Sequence, residues 1–119
     1  MLEGVETREK DGKTIVDIHN SHIDFRNATP LKQYLASLFD NGSKTLFLNL
    51  SQVSFMDSAG LSVLLVGKRS ADDVQGNFSV FGLQGYVNNL IELTHLKRVI
   101  PIYISEADAL RQSSLKEKH

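Results

Sequence analysis

The sequence predicts one α/β domain in which the central strands of a mixed sheet run parallel and follow an antiparallel hairpin. Segments with strand patterns alternate with segments of helical periodicity along most of the chain. The first two predicted strands flank an Asp-Gly turn signal, which favours a hairpin. The chain has 119 residues, of which 41% are hydrophobic. This length allows one core and is too short for two ordinary domains.

A hairpin and a helix are the first predicted elements. The segment "KTIVDIH" follows Asp11-Gly12 and is rich in β-branched residues, as strands are. In "TPLKQYLASLFDNG", Thr29 is a candidate N-cap, a proline occupies the first turn and Asn41-Gly42 ends the segment. The apolar residues on one face of this predicted helix are Leu31, Tyr34, Leu35 and Leu38.

The rest of the chain continues the alternation of strands and helices. The predicted strands are "TLFLNL", "NFSVFG" and "VIPIYI", and Pro101 in the last one favours a sheet edge. The predicted helices are "AGLSVLLVGKRSADD", "YVNNLIELTHL" and "EADALRQ", and Ser105 with Asp108 resembles a capping box before the last one. The final "SSLKEKH" has no periodic pattern, so we expect residues 114–119 to be a mobile tail behind a single domain of residues 1–113.

Composition excludes several classes of function. The chain has 14 acidic and 13 basic residues, and a formal charge of −1 gives no field that would attract nucleic acid or an anionic membrane. The absence of cysteine excludes a disulfide framework and a thiolate nucleophile. No apolar run approaches the roughly 18 residues of a spanning helix, and the start lacks a secretory signal. We therefore expect a soluble cytoplasmic protein without membrane insertion.

No metal site is expected, because no histidine has a second ligand at metal-binding spacing. The four histidines are His19, His22, His95 and His119.

Ser58 stands where a short strand joins a helix, in the segment "FMDSAGLSVLL". The first N–H groups of a helix have no partners within it, so the Ser58 hydroxyl is a candidate N-cap. A nucleophilic serine of the G-x-S-x-G kind is disfavoured because Met56 occupies the position of the first glycine. No histidine stands in a recognisable triad setting. The sequence therefore favours a protein that is not an enzyme.

Phosphorylation is a second role for the same serine, and it is compatible with capping. A phosphoserine adds a charge of about −1.5 to −2, which the N–H groups and dipole of a helix start help to hold. The neighbouring Asp57 opposes that gain by like-charge repulsion. Such a modification would change the surface charge strongly and the fold only slightly, which suits a switch of a docking surface.

The residues around this serine resemble the STAS domains of bacterial anti-sigma-factor antagonists. The segment "LSQVSFMDSAGLSVLL" is similar to the family's phosphorylation-site segment, where a strand, Asp-Ser, a small residue, Gly-Leu and an apolar helix follow in this order. The segments "SHIDFRNATPLKQYL" and "LIELTHLKRVIPIYISEADAL" resemble the family's first-helix region and its C-terminal helix, strand and helix. The resemblance covers roughly residues 3–113. It implies the STAS fold, a mixed and mostly parallel sheet of about four to five strands packed against about four helices.

A partner switch is the function that this resemblance implies. In such families the unphosphorylated antagonist binds a serine kinase that is also an anti-sigma factor, and the sigma factor is released. The kinase then phosphorylates the serine, the antagonist leaves, and a serine phosphatase resets it. ATP and Mg²⁺ would belong to the kinase, so we expect no cofactor in this chain.

Carried over by position, Ser58 is the expected phosphorylation site. The residues expected to contact the partner are Asp24, Asp57, Ser58, Ala59, Gly60 and Ser62. By its sequence position alone, Asp24 fits a turn or capping role equally well. Gly60 is expected to keep the first helical turn uncluttered for the partner.

The chain departs from the family pattern at three positions. Ser21 and Ser62 stand where the family often has glycine, and Ser62 adds a hydroxyl that bears on partner choice. Ala59 replaces a frequent serine or threonine and so removes a competing acceptor.

Two alternative functions use the same fold. A STAS module can be a structural subunit of a larger assembly, such as a stress-signalling complex or a lipid transporter. A partner switch can also control an output other than a sigma factor. The Asp57-Ser58 pair favours a switch, because a structural subunit needs no phosphate acceptor there.

Overall fold

Seven strands and four α-helices alternate along residues 2–117, the part of the chain that the structure, a computed structural model, describes. The strands are β1 (Val5–Lys10), β2 (Lys13–Ile18), β3 (His22–Ile23), β4 (Thr45–Asn49), β5 (Phe55–Met56), β6 (Asn77–Phe81) and β7 (Ile102–Tyr103). The helices are α1 (Ala28–Asp40), α2 (Ser58–Asp73), α3 (Gly85–Leu93) and α4 (Glu106–Glu117). A short 3-10 turn, Leu96–Arg98, separates α3 from β7.

Five strands form the main sheet in the order β1-β2-β4-β6-β7. The β1–β2 pair is antiparallel, and each of the other neighbours is parallel. The hairpin turns at Asp11 and Gly12, whose φ values of 54° and 78° match the left-handed pair of residues in a tight turn between two strands. The predicted fold class, hairpin and edge position of the Pro101 strand are confirmed.

The main core lies between one face of this sheet and helices α1, α2 and α3. Alternate strand residues face it, so Leu46 and Leu48 of β4 lie opposite Phe78 and Val80 of β6 in the parallel register. The helix residues buried in the same cluster include Leu31, Leu35 and Phe39 of α1, Val63, Leu64 and Ala71 of α2, and Val87 and Ile91 of α3.

Helix α4 covers the opposite face of the sheet. Ala109 packs there with Ile15, Phe47 and Phe81. Because this face is covered by one helix instead of three, its buried cluster is small, and polar contacts supplement it.

An ion-pair network fastens the start of α4 to the sheet. Arg8 of β1 donates from Nε to Asp17 Oδ2 at 2.7 Å and from Nη1 to Glu106 Oε2 at 3.0 Å. Asn49 of β4 donates to Asp17 Oδ1 at 2.8 Å. The Arg8 hydrogen bonds lower the pKa of the Asp17 and Glu106 carboxyls below their ordinary values. One arginine therefore joins β1, β2 and α4.

The predicted N-cap of α1, Thr29, is wrong. The helix begins at Ala28, which puts Asn27 in the N-cap position and Thr29 inside the first turn. The Asn27 side chain does not cap the helix. It donates to the backbone oxygen of His22 at 3.0 Å and accepts from the N–H of Asp24 at 2.9 Å. Asn27 therefore fixes the loop between β3 and α1.

The C-terminal helices also differ from the predicted boundaries. Helix α3 ends at Leu93, before the predicted end, because His95 has a left-handed φ of 59°. The Ser105 hydroxyl accepts from the N–H of Asp108 at 3.1 Å, as the capping box predicts, but the Asp108 carboxylate pairs with Arg111 at 2.7 Å.

Helix α4 continues to Glu117, so residues 114–117 are helical where a patternless tail was expected. Leucine, lysine and glutamate are good helix formers and extend it. Residues 118–119 of the expected tail lie outside the described residues.

Gly67 of α2 packs directly against a strand of the core, so Gly67→Ala tests this packing. A Cβ at this position would lie 2.6 Å from the ring of Phe78. We expect the variant to lower the free energy of unfolding by about 1–3 kcal/mol through overpacking, less a gain of up to about 1 kcal/mol in helix propensity. Urea denaturation measures the difference. The control Arg69→Ala, on the exposed side of the same helix, should stay within about 0.5 kcal/mol of the wild type. A Gly67→Ala variant that is more stable than the wild type would contradict close packing, because only the gain in helix propensity would then remain.

Acid unfolding tests the Arg8 network. Because the pKa values of Asp17 and Glu106 are lower in the folded chain than in the unfolded one, their pairs stabilise the fold in full above the ordinary carboxyl pKa of about 4. This contribution is lost as the pH falls through the lowered values. We expect Arg8→Gln to reduce stability at pH 7 by about 1 kcal/mol or less, since Arg8 is partly solvent-screened.

The variant should also lose less stability than the wild type between about pH 5 and about pH 2. Chemical denaturation at several pH values gives both quantities. Arg98→Gln removes a charge that has no ion pair within residues 2–117, and its pH profile should follow the wild type. An unchanged slope in Arg8→Gln would contradict the assignment of the network.

Candidate functional site

Two short strands bring Asp24 and the Asp57-Ser58 pair together. Strands β3 and β5 form a separate parallel pair in which Ile23 lies opposite Met56. Because the two strands run in the same direction, Asp24 and Asp57 follow them at the same end. The sequence placed these acids 33 positions apart, and the β3–β5 pairing makes them neighbours.

Asp57 is the N-cap of α2 and also ties the helix start to the loop after β3. Its Oδ1 accepts the N–H of Gly60 at 3.0 Å, and its backbone is extended, with φ −111° and ψ −169°. Its Oδ2 accepts the N–H of Phe25 at 3.3 Å. A single carboxylate therefore satisfies donors on two segments of the chain.

The predicted capping role of Ser58 is wrong, because Asp57 performs it. Ser58 is the first residue of α2 and is exposed. Within the described part of the chain, its hydroxyl has no hydrogen-bond partner. The hydroxyl is therefore free to react without breaking a contact that holds the fold.

Gly60 faces the interior of the domain. A Cβ there would collide with the backbone oxygen of Ile23 and with Cγ of Met56. The glycine is buried, so its lack of a side chain allows α2 to start against the β3–β5 pair. The expectation that it clears space for a partner is corrected: the space is filled by the chain itself.

Asp24 is also buried, with only 4% of the residue exposed. Arg26 holds its carboxylate from Nη2 at 2.7 Å and from Nε at 3.1 Å, both to Oδ2, and the Arg26 N–H donates to Oδ1 at 3.0 Å. These bonds lower the pKa of the Asp24 carboxyl. The Arg26 side chain is 60% exposed, so it forms the accessible surface of this pair.

Ser62, Ala59 and Ser21 make local contacts that the sequence left open. The Ser62 hydroxyl is half-buried and donates to the backbone oxygen of Ala59 at 2.6 Å. The backbone oxygen of Ser21 accepts from the N–H groups of Ser54 and Phe55 at 2.8 Å and 3.2 Å. The hydroxyl of Ser62 is thus engaged within its own helix.

Three exposed aromatic residues near this site were missed by the sequence analysis. Phe25, next to Asp24, is 77% exposed. Phe55 stacks on Tyr86 at the start of α3, with ring centroids 5.5 Å apart and an interplanar angle of 7°. A signal was present in the sequence, because Phe25 directly follows Asp24 and Phe55 lies two residues before Asp57. Exposed aromatic groups that lie close together are typical of a surface that binds another protein.

The described residues offer neither a metal site nor a membrane span. Across residues 2–117 there is no group of three or more histidine, cysteine, aspartate or glutamate side chains that could hold a metal ion. None of the helices within those bounds has the length and apolar character needed to cross a bilayer. The chemistry available at the site is therefore that of a free hydroxyl, two engaged carboxylates and an exposed guanidinium.

Replacing Asp57 and Ser58 separately tests which residue caps α2. We expect Asp57→Ala to lower the free energy of unfolding by about 1 kcal/mol, because the N–H groups of Gly60 and Phe25 lose their acceptor. Asp57→Asn should retain most of the stability, since asparagine is a good N-cap. Ser58→Ala is the matched control and should be nearly neutral. A larger loss in Ser58→Ala than in Asp57→Ala, measured by urea denaturation, would restore serine as the cap.

Comparison with known proteins agrees with this geometry. The STAS domain model matches residues 4–109. The anti-sigma-B factor antagonist of Listeria monocytogenes is 31% identical over 98 residues, which cover 82% of this chain and 86% of that protein. An anti-sigma factor antagonist from Mycobacterium paratuberculosis has a solved structure with a TM-score of 0.81 and 27% identity, over 91% of each chain.

A second solved structure shares the fold at lower identity. The Bacillus cell fate determinant SpoIIAA in its phosphorylated form superposes with a TM-score of 0.70 at 15% identity, covering 92% of this chain and 98% of that one. The resemblance inferred from the Asp57-Ser58 segment is confirmed by these matches. The chain belongs to the STAS domain family.

Proposed function

We propose that this protein is an anti-sigma-factor antagonist that works by partner switching. In its unphosphorylated form it binds a serine kinase that is also an anti-sigma factor, so the sigma factor is released. The single observation that carries the proposal is the exposed Ser58 hydroxyl, which has no hydrogen bond in the described chain and lies beside the Asp57 cap. A relative with 31% identity is itself named an anti-sigma-B factor antagonist.

The proposed switch is phosphorylation of Ser58 by the bound kinase. The Ser58 Oγ would form a bond to the γ-phosphorus of ATP, the bond from that phosphorus to the bridging oxygen would break, and ADP would leave. The hydroxyl proton would pass to a base on the kinase, and the kinase would supply ATP and Mg²⁺. A serine phosphatase would reverse the change by hydrolysis. The chain itself would then be a substrate and regulator, not an enzyme.

The surface proposed for the partner surrounds Ser58. Phe25 and the Phe55–Tyr86 stack supply exposed aromatic area, the residue types that contribute most to binding at protein interfaces. Ala59 is half-buried next to the serine and leaves room for it. Asp24 would act through Arg26, because its own carboxylate is covered.

The remaining proposed contact residues would act indirectly. Asp57 would hold the start of α2 against the loop that carries Phe25, because its carboxylate accepts the N–H of Phe25. Gly60 would hold the same helix against β3, and Ser62 would stabilise the first turn through its bond to Ala59. Their proposed contribution to binding is the placement of Ser58.

A phosphate at Ser58 would weaken this interface by charge. It would add about −1.5 to −2 next to Asp57. Like charges brought together at an interface cost several kcal/mol, and each 1.4 kcal/mol is a factor of ten in affinity. One modification is therefore sufficient for a change of a hundredfold or more. Sigma-factor control is a bacterial cytoplasmic process, so the proposal includes a cytoplasmic location.

Binding measurements on two Ser58 variants test the proposal. We expect Ser58→Ala to bind the cognate kinase with nearly wild-type affinity, because the hydroxyl makes no contact within the described chain. Ser58→Asp should bind at least about tenfold more weakly, since it adds a negative charge to the surface that the partner covers. Isothermal titration calorimetry gives both affinities. Ser70→Asp adds the same charge further along α2 and serves as the control.

Equal affinities of Ser58→Ala and Ser58→Asp would contradict the switch. Intact-mass spectrometry and peptide mapping of protein from its native cells, before and after phosphatase treatment, provide an independent check. A removable phosphate on Ser58 supports the proposal. A tight, stoichiometric complex with no phosphate under any growth or stress condition would instead favour a structural subunit of a larger assembly.

A further inference from the structure

We propose that Arg26 binds the phosphate of phosphorylated Ser58, with Asp24 as the residue that positions the guanidinium. This inference rests on the proposed phosphorylation of Ser58. It names the group within the chain that binds the phosphate once Ser58 carries it. Sequence analysis singled out Asp24 and not Arg26. In the structure, Asp24 is buried and Arg26, which covers it, is the exposed residue of the two.

The guanidinium of Arg26 is only partly used by Asp24. Its Nε and Nη2 nitrogens both bond to the Asp24 carboxylate, at distances from 2.7 to 3.2 Å. Its Nη1 has no hydrogen-bond partner among the described residues, and the side chain is 60% exposed. A guanidinium has five donors in a planar fork, so one edge can hold a carboxylate while another binds a phosphate.

Asp24 thereby gives Arg26 a defined position. A free arginine side chain has many rotamers, and ordering it on binding costs free energy. Here the contact to Asp24 is made from two nitrogens, and the Asp24 carboxylate is itself fixed by the N–H of Arg26 at 3.0 Å. Asp24 therefore orders the guanidinium before a phosphate is present, so phosphate binding loses little further side-chain entropy.

A backbone-to-side-chain hydrogen bond joins the loop that carries Arg26 to the start of α2. The N–H of Phe25, the residue before Arg26, donates to Asp57, the residue before Ser58, at 3.3 Å. After the hydrogen bonds to Asp24, the charge of Asp57 is a further cause of the raised pKa of Arg26. Arg26 therefore already interacts electrostatically with the residue next to the phosphorylation site.

The charges of this cluster favour such a contact. Asp24 bonds to the Arg26 guanidinium and Asp57 acts on it electrostatically, so these three groups carry a net charge of −1 before modification. A phosphate of about −1.5 to −2 would add strong repulsion from Asp57 unless a cation binds it. Arginine binds phosphate through paired charge-assisted hydrogen bonds. Arg26 has unused donors for this purpose.

The proposed contact makes phosphorylation change the surface in two ways. In the unmodified protein the free edge of Arg26 is available to an acidic group on the partner. In the modified protein the phosphate occupies that edge. The switch would therefore add negative charge and remove a positive donor from the same surface. Charge repulsion alone would produce only the first change.

The test measures the pKa of the second ionisation of the phosphate. The pKa is obtained from a ³¹P NMR titration of protein in which phosphoserine is installed at position 58 during synthesis. In the wild type a nearby guanidinium should lower this pKa. In Arg26→Gln it should rise by about one unit, because an opposite charge at short range shifts a pKa by about that amount. Arg26→Lys keeps the charge without the fork and should give an intermediate value.

Two further variants separate the proposed contact from general effects. Arg69→Gln removes a charge at a distant position of α2 and should leave the phosphate pKa unchanged. Asp24→Asn keeps Arg26 but weakens its positioning. Loss of the Asp24 charge alone would lower the phosphate pKa, so a rise in this variant would show that the positioned guanidinium matters, and it tests the contact if Arg26→Gln does not fold. The other titratable groups around the site are His22, Asp24 and Asp57. The ring signals of His22 are followed in the same titration to separate its ionisation from that of the phosphate.

A phosphate pKa that is equal in the wild type and Arg26→Gln overturns the inference, and so does an equal shift in Arg26→Gln and Arg69→Gln. Because the phosphoserine is installed without a kinase, this result is independent of the proposed function. Failure of the kinase to modify Ser58 would contradict the proposed function and leave the Arg26 titration valid. If the kinase modifies Ser58 but the phosphate pKa is equal in the wild type and Arg26→Gln, only the role of Arg26 is contradicted.

Discussion

The site depends on the carboxylate of Asp57. It accepts one N–H from the first turn of α2 and one from the loop between β3 and α1, so it couples two segments that the sequence places far apart. The geometry of Ser58 follows from this coupling, because Ser58 is the first residue of the helix that Asp57 caps. Gly60 completes the arrangement, since any larger residue there would push the helix away from Ile23. The exposed Ser58 hydroxyl is thus placed by neighbours that are themselves inaccessible or engaged.

The rest of the fold supplies a rigid base for this small region. Three helices cover one face of the sheet with a continuous apolar cluster, and α2, which carries Ser58, is one of them. On the other face, α4 is fastened by Ala109 and by the two carboxylates that Arg8 joins. The site lies at the N-terminus of α2, whereas the Arg8 network lies on the opposite face of the sheet. Changes in α4 docking would therefore reach Ser58 only through the sheet itself.

The sequence predicted most of the architecture and the position of the serine, but not the contacts of its neighbours. Alternating periodicity and the Asp11-Gly12 turn were sufficient to predict parallel central strands behind an antiparallel hairpin, because these signals are local. The cap was assigned to Ser58 since aspartate and serine are equally good N-caps, and a shift of one residue has no signature in a single sequence. Arg26 and Phe25 were missed because their importance comes from the β3–β5 pairing, which joins residues distant in the chain. Exposed side chains also leave no periodic pattern.

Separation of capping from modification is what allows the proposed switch to act on binding without acting on folding. If Ser58 were the cap, a phosphate on its oxygen would alter an interaction worth about 1 kcal/mol of helix stability. Because Asp57 is the cap, the N–H of Gly60 keeps its acceptor whether or not Ser58 is modified. The same Asp57 carboxylate would repel the phosphate, so the modified state would need a cation nearby, and Arg26, whose guanidinium Asp24 holds, is the proposed cation. The two acids therefore have different tasks: Asp57 caps the helix, and Asp24 positions Arg26, the proposed counterion.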